Sequence, residues 1–284
     1  MSTAGERSDT VGIVAGGGVL PAAVARSLEA RGRRPVVFAI RGYCDPATVD
    51  GRDHHWIALG QIGRLTRLLL REQCRDVVSV GSLVRPALRE LRLDWQTLLL
   101  MPSLLRAFRG GDNHLLTSVA RIFADHGFKL VAVNDVAPEL VVPEGVLTRR
   151  APDEATLRDI AKGRAALAAL SAFDVGQGAV VIDEHVVALE DIEGTDALLA
   201  RVARLRETRR IRAPAGRGVL VKAPKAGQDL RFDMPALGPR TISGAAQAQL
   251  AGVAVAAGRT LLAEGEAVVA AADNAGLFVV GVPG

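Results

Sequence analysis

The residues best suited to chemistry lie together in VKAPKAGQDLRFDMPALGPRT, positions 221–241, which gathers Lys222, Lys225, Gln228, Asp229, Arg231, Asp233 and Thr241. Splitting a phosphoanhydride requires that charge on the phosphoryl oxygens be neutralised, and lysines with a carboxylate-bound divalent ion are a common means. Lys222 with Asp229 or Asp233 supplies such a set, and Lys225, Gln228 and Thr241 supply further polar contacts. Asp229 and Asp233 are four residues apart, which points both to one face in a strand; in a loop their geometry is open. The stretch follows the apolar run GVLVKA at 218–223, and open α/β sheets carry their sites at such strand ends. Prolines, glycines and charges are also what any exposed loop contains, so composition alone weighs a site and a plain loop equally.

Three other places hold candidates. In EGTDALLARVARL, 193–205, Thr195 is the expected N-cap of a helix, with Glu193 and Asp196 near its positive end. Capping accounts for Thr195 and Asp196, and contact with a metal or ribose is the sharper alternative. Glycines 16, 17 and 18 form a turn whose N–H groups, with the following helix N-terminus, could hold a phosphate; a ligand-free tight turn weighs the same. The dinucleotide fingerprint would need a glycine where Pro21 stands and an acid where Ile40 and Arg41 stand, which disfavours NAD. Arg41 keeps an NADP-linked oxidoreductase as an alternative. In GDNH, 111–114, Asp112 reads as a helix-start residue with substrate contact as its second role. No DxH in the first 50 residues supplies the first metal of a binuclear phosphoesterase. His54 and His55 precede a strand and face opposite ways, one buried and one exposed, so they form no joint metal site. No nucleophile elbow, Walker loop or zinc spacing occurs.

The elements that must position these groups alternate. TVGIVAGGGVLPAAVARSLEARG reads as strand, glycine turn and helix, PVVFAI at 35–40 as a second strand, and 60–74 as a helix. DVVSVG at 76–81 is a further strand, 111–127 a helix, and FKLVAVND a strand. This predicts an α/β fold with a Rossmann-like parallel-sheet domain over 10–136. APELVVPEGVLTRRAP, 137–152, has three prolines and no sustained period, and reads as an interdomain linker that hinges on substrate. Residues 153–284 form a second, mixed α/β catalytic domain: a helix at 153–171, short strands around Asp183–His185, a helix from Thr195, a strand at 218–223, a helix near 242–252 and a final strand LFVVGV.

Composition agrees with two layered domains. The chain has 284 residues, 49% hydrophobic and only 4% aromatic, so its core is aliphatic and base-stacking surfaces are not expected. Cys44 and Cys74 read as small buried thiols of a reduced compartment. The polar start MSTAGERSDT is unlike a secretory signal, and no apolar run approaches the roughly 20 residues that span a bilayer. The net charge of +4 concentrates between Arg201 and Arg217, seven arginines against one glutamate. A solvated helix end is favoured slightly over an anionic surface, because these arginines share no helical face, and no motif accompanies them that would take nucleic acid.

AGGGVLP (15–21), GQIGRL (60–65), GDNHLL (111–116), PEGVLTRRAP (143–152), DVGQ (174–177), EGTD (193–196), VKAPKAGQDLRFDMPALGPRTI (221–242), AGRT (257–260) and DNAGLFVVG (273–281) form an ordered set. That set resembles the LpxI-type UDP-2,3-diacylglucosamine pyrophosphatases. The resemblance implies two domains and Mg²⁺-dependent hydrolysis to UMP and 2,3-diacylglucosamine 1-phosphate in lipid A biosynthesis. It implies an essential aspartate of the second domain, carried to Asp233 with Asp229 as the near alternative, both as metal ligands. Gly16, Gly17, Gly18, Gln61, Asp112, Thr195, Asp196, Lys225, Gln228 and Thr241 become the expected substrate contacts. The expected partner is a lipid-linked UDP-sugar, met by a cytoplasmic enzyme in transient contact with the inner face of a Gram-negative inner membrane; a homodimer is left open. LDWQTLLLMPSLLRAF, 93–108, reads as core in preference to an acyl-chain surface. The rivals are the NADP-linked oxidoreductase and a non-catalytic lipid or nucleotide carrier.

Overall fold

The structure, a computed structural model, describes residues 9–83, 92–99, 120–173, 175–232, 234–262 and 264–283. The chain divides into two compact units, residues 1–138 with 229–233, and 139–228 with 234–284. In the first unit TVGIVA forms β1 (Thr10–Ala15), joined through α1 (Leu20–Ala30) to β2 (Arg34–Ile40). β3 (His54–Ile57), α2 (Ile62–Arg71), β4 (Asp76–Val80) and β5 (Lys129–Leu130) follow. The strand order is β3-β2-β1-β4-β5, and every pairing is parallel. Strands covered on both faces read as unbroken apolar runs, as in β2, where every residue from Pro35 to Ile40 is buried. Pro21 lies in the first turn of α1, where no intrahelical N–H is needed. Val36, Phe38, Leu65, Leu69 and Phe123 form part of one core layer.

Sequence and structure differ at the end of this unit. FKLVAVND yields only the two-residue β5, and VNDV becomes a helical turn, α3 (Val133–Val136). The cause is local: the Asp135 carboxylate accepts the Ala132 N–H at 3.1 Å and opens the turn. Of the expected helix over 111–127, residues 120–125 are helical and 111–119 lie outside the described residues.

The second unit runs β6 (Gly145–Val146), α4 (Glu154–Leu170), β7 (Gly178–Ile182), β8 (His185–Leu189), α5 (Gly194–Glu207), β9 (Val219–Lys222), α6 (Pro239–Gln247), β10 (Gly252–Ala256), α7 (Gly265–Asn274) and β11 (Phe278–Val282). Its sheet order is β6-β11-β10-β9-β7-β8, mixed in sense. β9, β10 and β11 are parallel, β7 opposes both β9 and β8, and β6 opposes β11. β8 and β9 therefore run the same way and end at one edge of the sheet. One core joins Leu198 and Leu199 of α5, Ile242 of α6 and Val268 of α7 to Val253; the other joins Ile160 and Leu167 of α4 to Val221 and Phe278. Helices thus cover both faces, and the chain is α/β throughout.

The β7–β8 hairpin turns on Asp183 and Glu184, at φ 50° and 62°. The buried Asp159 of α4 accepts both of their N–H groups, at 3.2 and 2.5 Å, and fixes the turn. The helix expected near 242–252 ends at Gln247, and GVAVA beyond it is an interior strand. A short Ala/Val run between glycines has no period that separates strand from helix. Within 137–152, Val142 N–H bonds Thr260 O and Leu147 N–H bonds Val279 O, so part of this proline-bearing stretch borders the second sheet. Cys44 and Cys74 are buried free thiols, and burial pushes the Cys74 thiol up to about 12. Among the described residues no helix is long and apolar enough to cross a membrane.

Candidate active site

Lys222 ends β9 and is 7% exposed. Its ammonium donates to the Thr195 hydroxyl at 2.7 Å and lies 3.4 Å from Ala236 O. Thr195 in turn donates to Glu190 Oε1 at 3.1 Å. A lysine ammonium only donates and a hydroxyl has one proton, so the direction of this relay is fixed. Three elements build it: Glu190 immediately follows β8, Thr195 lies in the first turn of α5, and Lys222 closes β9. The expected N-cap role of Thr195 is corrected here. α5 begins at Gly194 after Glu193, no side chain caps it, and the hydroxyl faces Lys222 and Glu190 instead. Sequence reading passed over Glu190; its signal was an acid closing the apolar run VVAL just before EGTD.

The other loop candidates take separate roles. Gln228 is buried, and its Oε1 accepts the Lys225 N–H at 2.8 Å, closing the turn that begins beyond β9. Thr241 is buried in the first turn of α6. Asp196 accepts from Arg240 in an exposed ion pair. The boundary between the units falls after Gln228, so Asp229 and Arg231 count with the first unit. Both Asp229 oxygens are engaged by Arg231, Nε on Oδ1 at 2.9 Å and Nη2 on Oδ2 at 2.6 Å. That bidentate contact holds the Asp229 carboxyl below the usual carboxylate range. Phe232 packs against the core layer that contains Phe38. Asp233 and Asp112 lie outside the described residues.

In the first unit the glycine turn is spent on backbone packing. Gly16 N–H bonds Val80 O and Gly17 N–H bonds Ser82 O, each at 2.9 Å, and Ser82 N–H returns to Gly17 O. A Cβ on Gly16 would sit 2.8 Å from Ser82 O, so close approach of β4 explains the glycine. Gly18 takes φ +88°. Gln61 Oε1 accepts the Ala58 N–H at 3.0 Å, and α2 is capped from outside by Thr97 Oγ1 on Ile62 N–H and Asp94 Oδ2 on Arg64 N–H. Arg41 stacks over the Trp56 ring at 5.8 Å. His54 is exposed on Arg52 O, while His55 bonds Glu72 and stacks on Phe38. No group of three His, Cys, Asp or Glu able to hold a metal occurs among the described residues.

Two surfaces depart from, or refine, the sequence reading. Trp95, Leu98 and Leu99 are exposed, Trp95 by 75%, so these apolar side chains of 93–108 do not join the core. In the arginine cluster, Arg206 is buried and donates to Ala213 O, Pro214 O and Arg217 O, and Arg217 pairs with Asp183. Arg204, Arg209, Arg210 and Arg212 are exposed.

Residues 10–140 match the LpxI N-terminal domain and residues 143–280 the LpxI C-terminal domain. The chain belongs to the LpxI family. One LpxI relative, UDP-2,3-diacylglucosamine pyrophosphatase LpxI of Caulobacter vibrioides (strain ATCC 19089 / CIP 103742 / CB 15), is 41% identical over 272 residues, which cover 96% of this chain and 97% of that protein. Among solved structures, UDP-glucose 4-epimerase from Brucella ovis in complex with NAD matches at TM-score 0.27 and 18% identity over 40% of this chain and 33% of that one. So slight a likeness carries no argument. LpxI membership rests on both halves of the chain, and the ordered motifs read from the sequence agree with it.

Proposed function

We propose that this LpxI chain hydrolyses the diphosphate of UDP-2,3-diacylglucosamine, releasing UMP and 2,3-diacylglucosamine 1-phosphate in lipid A biosynthesis. The observation that carries the reading is the buried Lys222 ammonium, held by Thr195 at the carboxyl edge of the second sheet. Its support is the 41% identity to a relative named for that activity. Negative charge grows on the leaving phosphate as the bridging bond breaks, and a fixed cation in a water-poor setting favours that state over the bound substrate. Lys225, Thr241, Gly18 and Asp112 serve as substrate contacts in this reading. Gly16, Gly17, Gln61 and Gln228 act by shaping their own loops, because their polar groups are engaged by the protein, and Asp196 acts through its exposed ion pair with Arg240.

The essential carboxylate is Asp233, which orients the attacking water. Asp229 does not fit as a metal ligand, since Arg231 occupies both its oxygens. Mg²⁺ needs only one or two carboxylates together with substrate phosphates, so Asp233 and the diphosphate are its proposed holders. Bound there, it would supply further positive charge to the phosphoryl oxygens. Brief contact with a lipid surface is part of the proposal, supported by exposed Trp95, Leu98 and Leu99 in one unit and Arg204, Arg209, Arg210 and Arg212 in the other. Each basic residue near an anionic bilayer contributes about 1 kcal/mol.

The test is incubation of the purified chain with UDP-2,3-diacylglucosamine and Mg²⁺, with mass-spectrometric detection of products. Equimolar UMP and 2,3-diacylglucosamine 1-phosphate are expected, with turnover lost in EDTA and restored by Mg²⁺. Binding of the lipid without UMP release overturns the proposal in favour of a carrier.

A further inference from the structure

We infer that Glu190 is a positioning residue for Lys222, acting through the Thr195 hydroxyl; the inference rests on the catalytic reading of Lys222 given above. Three observations carry it. The relay Lys222–Thr195–Glu190 has one proton arrangement, with the ammonium donating at 2.7 Å and the hydroxyl passing its single proton to the carboxylate at 3.1 Å. The seat of Glu190 is built from glycine: a Cβ on Gly178 would lie 2.5 Å from Glu190 Oε2, and one on Gly176 would lie 2.3 Å from Glu190 O. The Glu190 N–H also bonds Gly178 O at 2.7 Å, so backbone and carboxylate are both registered on the start of β7.

The third observation is what Glu190 lacks. Its Oε2 is buried and has no hydrogen-bond partner among the described residues. A carboxylate oxygen in that state weakens a fold rather than supporting it, and Thr195 caps no helix N–H that would supply a structural reason for the arrangement. The charge is accounted for by what lies at the other end of the relay. Through Thr195, Glu190 fixes the direction in which the Lys222 ammonium meets a phosphoryl oxygen, and that direction matters most where charge develops.

The test compares Glu190→Gln, Thr195→Val and Thr195→Ser with Lys222→Met and the unaltered protein, in kcat, KM and melting temperature. Glu190→Gln and Thr195→Val should each lower kcat by roughly 10- to 100-fold, with KM within about twofold, while Thr195→Ser recovers most of the loss. The Glu190→Gln, Thr195→Val double variant should be no slower than the slower single one, because the two groups act in series. Full kcat in Glu190→Gln, losses that multiply in the double variant, or a fall in activity that only tracks the folded fraction overturns the inference. If the unaltered protein releases no UMP, or Lys222→Met keeps full turnover, the catalytic reading fails by itself. The relay is then decided by the ¹⁵N signal of the Lys222 ammonium: a shift on Glu190→Gln supports it, and an unmoved signal overturns it.

Discussion

β1 and β9 are both buried strands that run into loops rich in groups that ligands favour, and the two loops use those groups in opposite ways. After β1 the N–H groups of Gly16 and Gly17 are given to Val80 O and Ser82 O, so the turn is explained by the closeness of two strands. β9 ends on a buried lysine whose ammonium donates to the Thr195 hydroxyl of α5, which in turn donates to Glu190 just beyond β8. The first loop spends its polarity on its own backbone, and the second begins at a buried charge linked through Thr195 to Glu190. A glycine-rich strand end is thus weak ground for a phosphate site until its N–H groups are accounted for, whereas a buried cation fixed at a strand end is stronger ground.

The comparison breaks most sharply at Asp233, in the loop after β9. Asp233→Ala should fold and bind substrate with nearly unchanged affinity while kcat falls by about 10² to 10⁴, the usual cost of losing a base or metal-positioning group. Turnover and melting temperature on one preparation decide it: near-normal kcat in folded Asp233→Ala removes the carboxylate from the mechanism.

At the β1 end the pattern should invert. Gly81, the residue after β4, faces the glycine turn with φ +102°, and a Cβ there would meet Gly16 C at 2.8 Å. Gly81→Ala should destabilise the first unit by about 1–3 kcal/mol, combining overpacking with left-handed strain, yet leave kcat per folded molecule within about twofold. Denaturant titration against specific activity is the measurement, and a tenfold loss of kcat at full stability would mean that the packing of the turn also sets the rate.

An intermediate case concerns the lipid. Replacing exposed Trp95 and Leu99 together by serine should weaken binding to vesicles of anionic phospholipid about tenfold, since each exposed apolar side chain buries roughly 1.5–3 kcal/mol of transfer energy only in part at an interface. Unchanged co-sedimentation of the double variant assigns those side chains elsewhere.

Much of this was legible in the sequence where a residue's role follows from its neighbours along the chain. The unbroken apolar runs of β1, β2 and β9, Pro21 at the head of α1 and the Asp183–Glu184 hairpin all declare themselves locally. β10 did not, because GVAVA carries no period, and neither did α3, which one carboxylate from Asp135 creates. Lys222 was legible as a candidate, but Glu190 and the use of Thr195 were not. Their meaning depends on β8 and β9 flanking β7 and ending at the same edge of the sheet, a fact of sheet order that no spacing in the chain encodes. Asp229 shows the same limit from the other side: nothing in QDLRFD distinguishes a free carboxylate from one folded back on Arg231.

That last pair gives the smallest expected effect. Arg231 holds the Asp229 carboxyl below its usual range through two hydrogen bonds, so the folded value lies under the unfolded one of about 3.9. A depressed carboxylate contributes stability that is fully present above the unfolded value and is lost as pH falls through the folded value. The contribution is about 1 kcal/mol or less, because Arg231 is 42% exposed and solvent screens the pair. Asp229→Asn should therefore melt slightly below the unaltered protein at pH 7, and the two should converge as the pH is lowered below the unfolded value of about 3.9. A gap that persists at low pH means that packing, not charge, held Asp229. The same variant also sharpens the contrast within the loop, since a carboxylate committed to Arg231 should be dispensable where Asp233 is not. A hundredfold loss of turnover in Asp229→Asn, with stability intact, would mean that the Arg231 contact opens on substrate binding and would move the essential carboxylate to Asp229.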